Sequence, residues 1–557
     1  MSTPGGGTCL ARGAVADMRE LRILWGQRLR RDRWQLVTWV LGMGALTLFA
    51  ASAIQQTYGE ESSRAEILQV AIATPAILML RGLPRDASLG GFMFFLIYAF
   101  LALLAGLMST FLAVRHSRAD EETGSAELIA ATPAGRLTPA VATVMHGISA
   151  NVLVALAVFG GFLAAGLDRD GSLLAGASVG AVGLAFLGVG LFVAQLMGTS
   201  RGANGYAASL VVLAYLLRGI GDAGGTPSAD GLPMTAGTAS WFSPIGWGQQ
   251  TFAFTGGRWW PLLLPLGLAV FSGGVAWVLL ERRDSGASVF GALPGRMAAR
   301  PGLRSPTALA LRLQAGSITG WGVGGLTMGL LAGSLGRAIA STETAGSNIT
   351  VALRAILQTQ GVSLTQLMIS AMFSIAGILA AACGLQAVLR LRQEEAGGTA
   401  ELLLAAPISR VHWLASYLLL GMASVVLVLS LTALGAWASL AAAGDTSVEG
   451  QAVWETAAAQ LPAALIYLAV PALVFVIWPA ATIAGGWALL GAGVVMGIFG
   501  GLVGLDKSVR DLSPFTHTPV PSGSTTDWSG AWWMLAIAVV AAAVAVAAMR
   551  RRETGTA

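Results

Sequence analysis

The chain has 557 residues, 55% hydrophobic and only 11% charged, with a mean hydropathy of +0.71. A soluble domain carries about 25% charged residues, so a soluble globular fold is excluded and a polytopic membrane protein is implied. Net charge is only +5, the two cysteines (Cys9 and Cys383) are unsuited to a framework, and the four histidines (His116, His146, His412, His517) are scattered along the sequence, so neither a metal site nor a nucleic-acid partner is expected.

Residues 1–33 lack an apolar core followed by a small-residue cleavage site, so they do not read as a cleavable signal. Val15, Met18, Leu21, Trp25 and Leu29 recur at helical spacing among Arg19, Arg22, Arg28, Arg30, Arg31 and Arg33. This pattern predicts a basic amphipathic helix lying on the inner membrane surface. A span needs about 20 apolar residues. In the first half (34–280) the stretches 34–54, 91–114, 141–166, 173–197, 205–219 and 261–280 qualify. Residues 281–316, rich in Arg, Gly and Pro, form a linker with a second surface helix expected around 307–313. In the second half (317–557) the spans are 318–338, 367–389, 413–440, 453–478, 480–505 and 531–549. The expected fold is all-α: twelve transmembrane helices arranged as two parallel six-helix repeats.

Arginines orient the bundle. Arg28, Arg115, Arg118, Arg136, Arg201, Arg282 and Arg283 fall in alternate connections, as do Arg390, Arg392, Arg410 and Arg550 to Arg552. The positive-inside bias puts these connections and both termini in the cytosol. An even number of spans per half makes the repeats parallel, related by an axis along the membrane normal.

One polar element occurs twice. Ala126-Glu127-Leu128-Ile129-Ala130-Ala131-Thr132-Pro133-Ala134-Gly135-Arg136 returns, 274 residues on and without a gap, as Ala400-Glu401-Leu402-Leu403-Leu404-Ala405-Ala406-Pro407-Ile408-Ser409-Arg410. Acids precede both copies: Asp120-Glu121-Glu122 and Glu394-Glu395. Carboxylates suit the positive end of a helix, the next residues are mostly good helix formers, and proline stops the run while biasing the residue before it to extended geometry. A single short helix, three turns or so, is expected between two spans, with leucines to insert into a groove and carboxylates to meet basic groups. Trp259-Trp260 and Trp532-Trp533 echo the same duplication and read as anchors at the lipid–water boundary.

No ATP site is encoded. The sole lysine, Lys507, follows Asp506 rather than the glycine that a phosphate-binding loop requires. An ion-driven carrier would keep ionisable groups at mid-membrane depth. His146, Arg218 and Glu455 fall near span ends, no embedded carboxylate is evident, and His146 reads as a packed boundary histidine. An enzyme would need converging acids, bases or nucleophiles, and the acids have no histidine spaced to partner them.

The pattern Glu-Glu-x-x-Gly-x-x-Glu-Leu-Leu-Leu-Ala-x-Pro-Ile-Ser-Arg resembles the cytosolic loop of ABC-2-type transporter permeases, most closely the double-length actinobacterial form described as polyketide-antibiotic or multidrug exporter subunits. The resemblance covers essentially the whole chain. It implies that each copy is a coupling helix docking on one of two copies of a separate ATPase subunit, which would hold the ATP and magnesium; this chain would hold no cofactor. Glu121, Glu122, Glu127, Leu128 and Ile129 would meet one ATPase, and Glu394, Glu395, Glu401, Leu402 and Leu403 the other. Glu122 aligns with Ala396 and Thr132 with Ala406, so the contacts are expected to be unequal. It further implies export of a hydrophobic or amphipathic drug or antibiotic across a bacterial plasma membrane, between the second and fifth spans of each half. Phe94, Phe95, Tyr98, Met108, Tyr215, Met372, Phe373, Met496 and Phe499 lie on those spans. Gly485, Gly486, Gly491, Gly493, Gly497, Gly500 and Gly501 crowd the eleventh and would allow close helix approach. The alternative is a secondary drug transporter driven by an ion gradient.

Overall fold

The computed structural model describes residues 6–290 except 74, 133, 134, 136, 229, 230 and 285; 303–342 except 304; 364–500 except 443 and 445–447; 505–519; and 526–552. The chain divides into two compact units, Met1–Pro294 and Gly295–Ala557. Among the described residues, eleven helices are long and apolar enough to cross a membrane, six in the first unit and five in the second.

The first unit opens with α1 (Gly6–Arg31), which stops at Asp32 before α2 (Arg33–Thr57). Two short helices follow, α3 (Glu61–Ala73) and α4 (Pro75–Arg81), then α5 (Leu89–Arg115). The stretch between α2 and α5, expected to be a polar connection, folds because Leu68, Ala71, Leu78 and Leu83 are buried and because Arg64, also buried, donates to the carbonyls of Ala87 (2.7 Å), Tyr58 (2.9 Å) and Gly59 (2.7 Å). After α5 come α6 (Arg118–Glu122), α7 (Ser125–Ala130), α8 (Thr138–Ala164), α9 (Arg169–Leu196), α10 (Ser200–Ala223), α11 (Pro244–Gln249) and α12 (Leu263–Arg282). A two-residue antiparallel hairpin, β1 (Thr226–Pro227) with β2 (Met234–Thr235), interrupts the otherwise helical unit.

Helix starts follow local chemistry. Ser88, Asp168 and Thr199 cap α5, α9 and α10 by accepting from Gly91, Gly171 and Gly202, each satisfying one of the orphan N–H groups of a first turn. The cap and the polar last turn make α10 longer than the expected 205–219: apolarity marks the part of a helix in hydrocarbon, not the whole helix. The core runs through Phe92, Phe95, Tyr98, Phe162 and Phe186 of α5, α8 and α9, so α5 is apolar all round, as a central helix must be. Large apolar side chains of α2 and α12, including Leu41, Phe49, Val270 and Phe271, point outward, as lipid-facing helices allow.

The second unit begins with α13 (Pro306–Thr342). The separate surface helix expected around 307–313 is instead the first part of this 37-residue helix. The expected span 318–338 lies within α13 and is not among the eleven. Then come α14 (Leu364–Ala396), α15 (Thr399–Leu404), α16 (Arg410–Ala442), α17 (Gly450–Ile477), α18 (Thr482–Val494), α19 (Lys507–Arg510) and α20 (Ser529–Met549). Gly325, Gly329 and Gly333 let α13 lie against α16. A methyl group at Gly329 would meet the Thr432 carbonyl oxygen at 2.0 Å, and one at Gly333 the Ser439 side chain at 2.7 Å, the small-residue packing that membranes favour. The expected span 480–505 is α-helical only to Val494 and continues as a π turn over Val495–Phe499.

Candidate functional site

Each unit carries the repeated loop at matched positions. In the first, α5 leads through α6 to Gly124, which turns the chain at φ +72° into α7. In the second, α14 runs on to Ala396, Gly398 turns at φ +72°, and α15 follows. The single helix expected from Asp120 onward is therefore broken at Gly124. No atom lies within 4 Å of a methyl group built at either glycine, so glycine is needed there for its backbone freedom, not for space.

Below each turn sits the same ionic clamp. Glu121 accepts from Arg118 at 2.8 Å and from Arg283, the residue after α12. Arg118, buried, also donates to the carbonyls of Ala194 (3.1 Å) and Ala287 (2.9 Å). In the second unit Glu395 accepts from Arg392 at 3.3 Å and from Arg552 at 2.5 Å, just after α20. Each loop is thus fastened to the end of the last helix of its own unit, where two guanidiniums neutralise one buried carboxylate. Sequence reading found the acids but not the clamp, because its partners lie 162 and 157 residues away.

The clamp sorts the residues nominated for docking. Leu128 and Leu402 stand 75% and 78% exposed, and Glu122, Glu127 and Glu401 are exposed beside them. Ile129 and Leu403 are half-buried. Glu121, Glu394 and Glu395 are occupied inside the chain: Glu394 accepts from the Tyr417 hydroxyl at 2.5 Å and the Trp413 indole at 3.3 Å, with Arg390 3.4 Å away. Pro133 and Arg136 lie outside the described residues.

The histidines, scattered in sequence, are not scattered in space. Asp32, at the break between α1 and α2, holds Oδ2 2.5 Å from His116 Nε2 and 3.1 Å from His146 Nε2. The two rings meet edge to face at 5.1 Å, and Arg115 lies 3.0 Å from Asp32 Oδ1. His146 is accordingly a member of a buried polar cluster, not a lone boundary residue. Burial opposes ionisation of Asp32, yet the hydrogen bonds from His116 and His146 and the charges of His116 and Arg115 outweigh it and hold the carboxyl below the usual carboxylate range. A signal was available: Asp32 is the one acid amid the arginines of residues 28–33.

Asp222 of α10 is fully buried and paired with Arg218 at 2.9 Å, with Gln249 donating to it at 3.0 Å. Desolvated charges survive only when matched in this way.

Residues nominated for a substrate path are packed. Phe94 stacks on Tyr98 at 4.5 Å, and Phe94, Phe95, Tyr98 and Met108 belong to the first core. The Tyr215 hydroxyl donates to the Leu80 carbonyl at 2.5 Å. Met372 and Phe373 pack with Ala433, Ala436 and Leu440 of α16. Met496 sits in the π turn, and the Phe499 side chain lies outside the described residues. A cavity of about 380 Å³ in the first unit is lined instead by Arg28, His116, Glu121, Ile129, Trp277 and Arg283, among others.

A helical membrane protein with one clamped loop in each of two units is built as a permease. Residues 303–550 match the family model described as the C-terminal domain of the multidrug efflux system permease Rv1217c. Over 530 residues the chain is 34% identical to the multidrug efflux system permease protein Rv1217c of Mycobacterium tuberculosis (strain ATCC 25618 / H37Rv), covering 94% of this chain and 93% of that protein. The chain belongs to this family of double-length ABC-2-type multidrug efflux permeases.

Proposed function

We propose that the chain is the membrane-spanning subunit of an ATP-driven exporter of hydrophobic or amphipathic drugs, with two copies of a separate ATPase bound at its two loops. The observation that carries this reading is the matched pair of exposed tips, Leu128 with Glu127 and Leu402 with Glu401. Each tip follows, across one glycine turn, a helix end clamped to the last span of its own unit, so a push on the tip is passed to that clamp. In this reading α13 supplies the twelfth span, the two units are parallel six-helix repeats, and both termini and both loops face the cytosol. The membrane is a bacterial plasma membrane. ATP and magnesium belong to the ATPase, since the only lysine of the chain follows Asp506, where phosphate would be repelled.

The test is a double charge reversal, Glu127→Arg with Glu401→Arg, in the full chain co-expressed with a candidate partner ATPase. Both carboxylates are exposed, so membrane insertion and thermal stability should hold while ATPase co-purification and drug-stimulated hydrolysis fall at least about tenfold, equivalent to 1.4 kcal/mol or more of docking energy. Undiminished co-purification would exclude the loops as docking sites. Transport in vesicles without ATP, abolished by collapsing the ion gradient, would favour a secondary carrier instead.

A further inference from the structure

The Asp32–His116–His146 cluster takes no part in docking, and the comparison between the two loops gives it meaning. In the second unit the position matching His116 is Arg390 and that matching His146 is Leu420. There a permanent guanidinium lies beside the buried acid Glu394. In the first unit two imidazoles and the Arg115 guanidinium face the carboxylate of Asp32, and an imidazole, unlike a guanidinium, can ligate a metal ion.

We infer that Asp32, His116 and His146 form a site for one divalent transition-metal ion, with zinc the best match. Two imidazole nitrogens and a carboxylate oxygen are a donor set that zinc accepts, leaving a fourth position for water. The three donor atoms lie within 4.8 Å of one another. Ligands about 2.0–2.1 Å from a tetrahedral zinc sit roughly 3.3 Å apart. The His146–Asp32 separation of 3.1 Å is already close to this, and the His116–Asp32 separation of 2.5 Å must open by less than about 1 Å. All three residues are buried, and His116 also lines the 380 Å³ cavity.

The surroundings orient the ligands. Arg115 engages Asp32 Oδ1 at 3.0 Å and leaves Oδ2 to the histidines. His116 Nδ1 has no hydrogen-bond partner, and Asp120 Oδ2 lies 3.9 Å away, beyond hydrogen-bond reach; closing that gap on metal binding would give the ring a carboxylate to orient it. Apart from Arg115, the neighbouring cations are directed elsewhere. Arg28 donates to the carbonyls of Pro139 (2.7 Å) and His116 (3.4 Å) and to Thr143 Oγ1 (2.5 Å), and Arg31 pairs with Asp120. Their charge lowers the affinity below that of a thiolate site and makes the ion exchangeable. A bound ion would fasten the junction of α1 and α2 to the root of the first loop and to α8.

The test uses the full chain in lipid nanodiscs, purified without a polyhistidine tag and dialysed against cobalt(II) as probe. One cobalt per chain is expected, with the visible absorption of a four-coordinate nitrogen–oxygen site, displaced by zinc. His116→Gln and His146→Gln should each weaken cobalt binding by about tenfold or more, and the exposed His412→Gln should not. Zinc should raise the melting temperature of the wild type in a concentration-dependent way and leave that of His146→Gln unmoved. Substoichiometric cobalt in the wild-type chain, or a spectrum equal in the wild type and the His116→Gln/His146→Gln double variant, would overturn the site. The wild-type stoichiometry decides the matter even if the variants fold poorly.

Discussion

In the first loop the residue before the clamp, Asp120, pairs with Arg31 of the amphipathic helix, whose side chain is half exposed. In the second, the matching Glu394 is buried among Tyr417, Trp413 and Arg390. Below these anchors the loops are alike: the same glycine turn, the same clamp, the same exposed leucine. The turn, the clamp and the exposed leucine are shared, and what holds each loop in place differs. The first loop hangs from a surface helix and a histidine cluster, the second from the packed interior of its own spans.

The sharpest test of the likeness is removal of the clamp acids. Glu121→Ala removes the carboxylate that Arg118 and Arg283 share, and Glu395→Ala the one that Arg392 and Arg552 share. Breaking a buried pair costs about 3–5 kcal/mol, so both variants should melt well below the wild type in thermal unfolding of the purified chain; a large loss in one unit alone would break the equivalence. The anchors should then separate the loops. Tyr417→Phe removes a donor to a buried carboxylate and should cost about 1.5–3 kcal/mol, whereas Arg31→Ala removes an exposed partner and should cost less than about 1 kcal/mol. Equal effects would mean that the two anchors do not differ. The finest comparison is Gly124→Ala against Gly398→Ala. Both sites are sterically open and share φ +72°, so each should lose about 1–2 kcal/mol through backbone strain alone, and Asn in place of Ala should recover part of it.

Much of the architecture was legible in one dimension. Eleven of the twelve expected spans fall on helices found to be long and apolar enough to cross a membrane, because apolar length is a local property. The repeated loop was legible for the same reason: Glu127, Leu128, Glu401 and Leu402 sit in contiguous motifs. What was missed depends on partners far away. Glu121 and Glu395 looked like free surface carboxylates until Arg283 and Arg552 were seen folded back upon them. The two helices between α2 and α5 were not expected, because pattern along the chain does not say that Leu68, Ala71 and Leu78 are covered.

Composition and apolar runs by themselves determined a polytopic helical membrane protein, and the ungapped repeat determined that one polar loop occurs twice, since both properties follow from the order of residues along the chain. Only the tertiary structure decided which carboxylates remain on the surface and that Asp32 gathers His116 and His146. The physical reason is that the energy of a charge or a ligand is set by what lies within a few ångströms of it, and folding brings those neighbours from positions that sequence separation does not reveal.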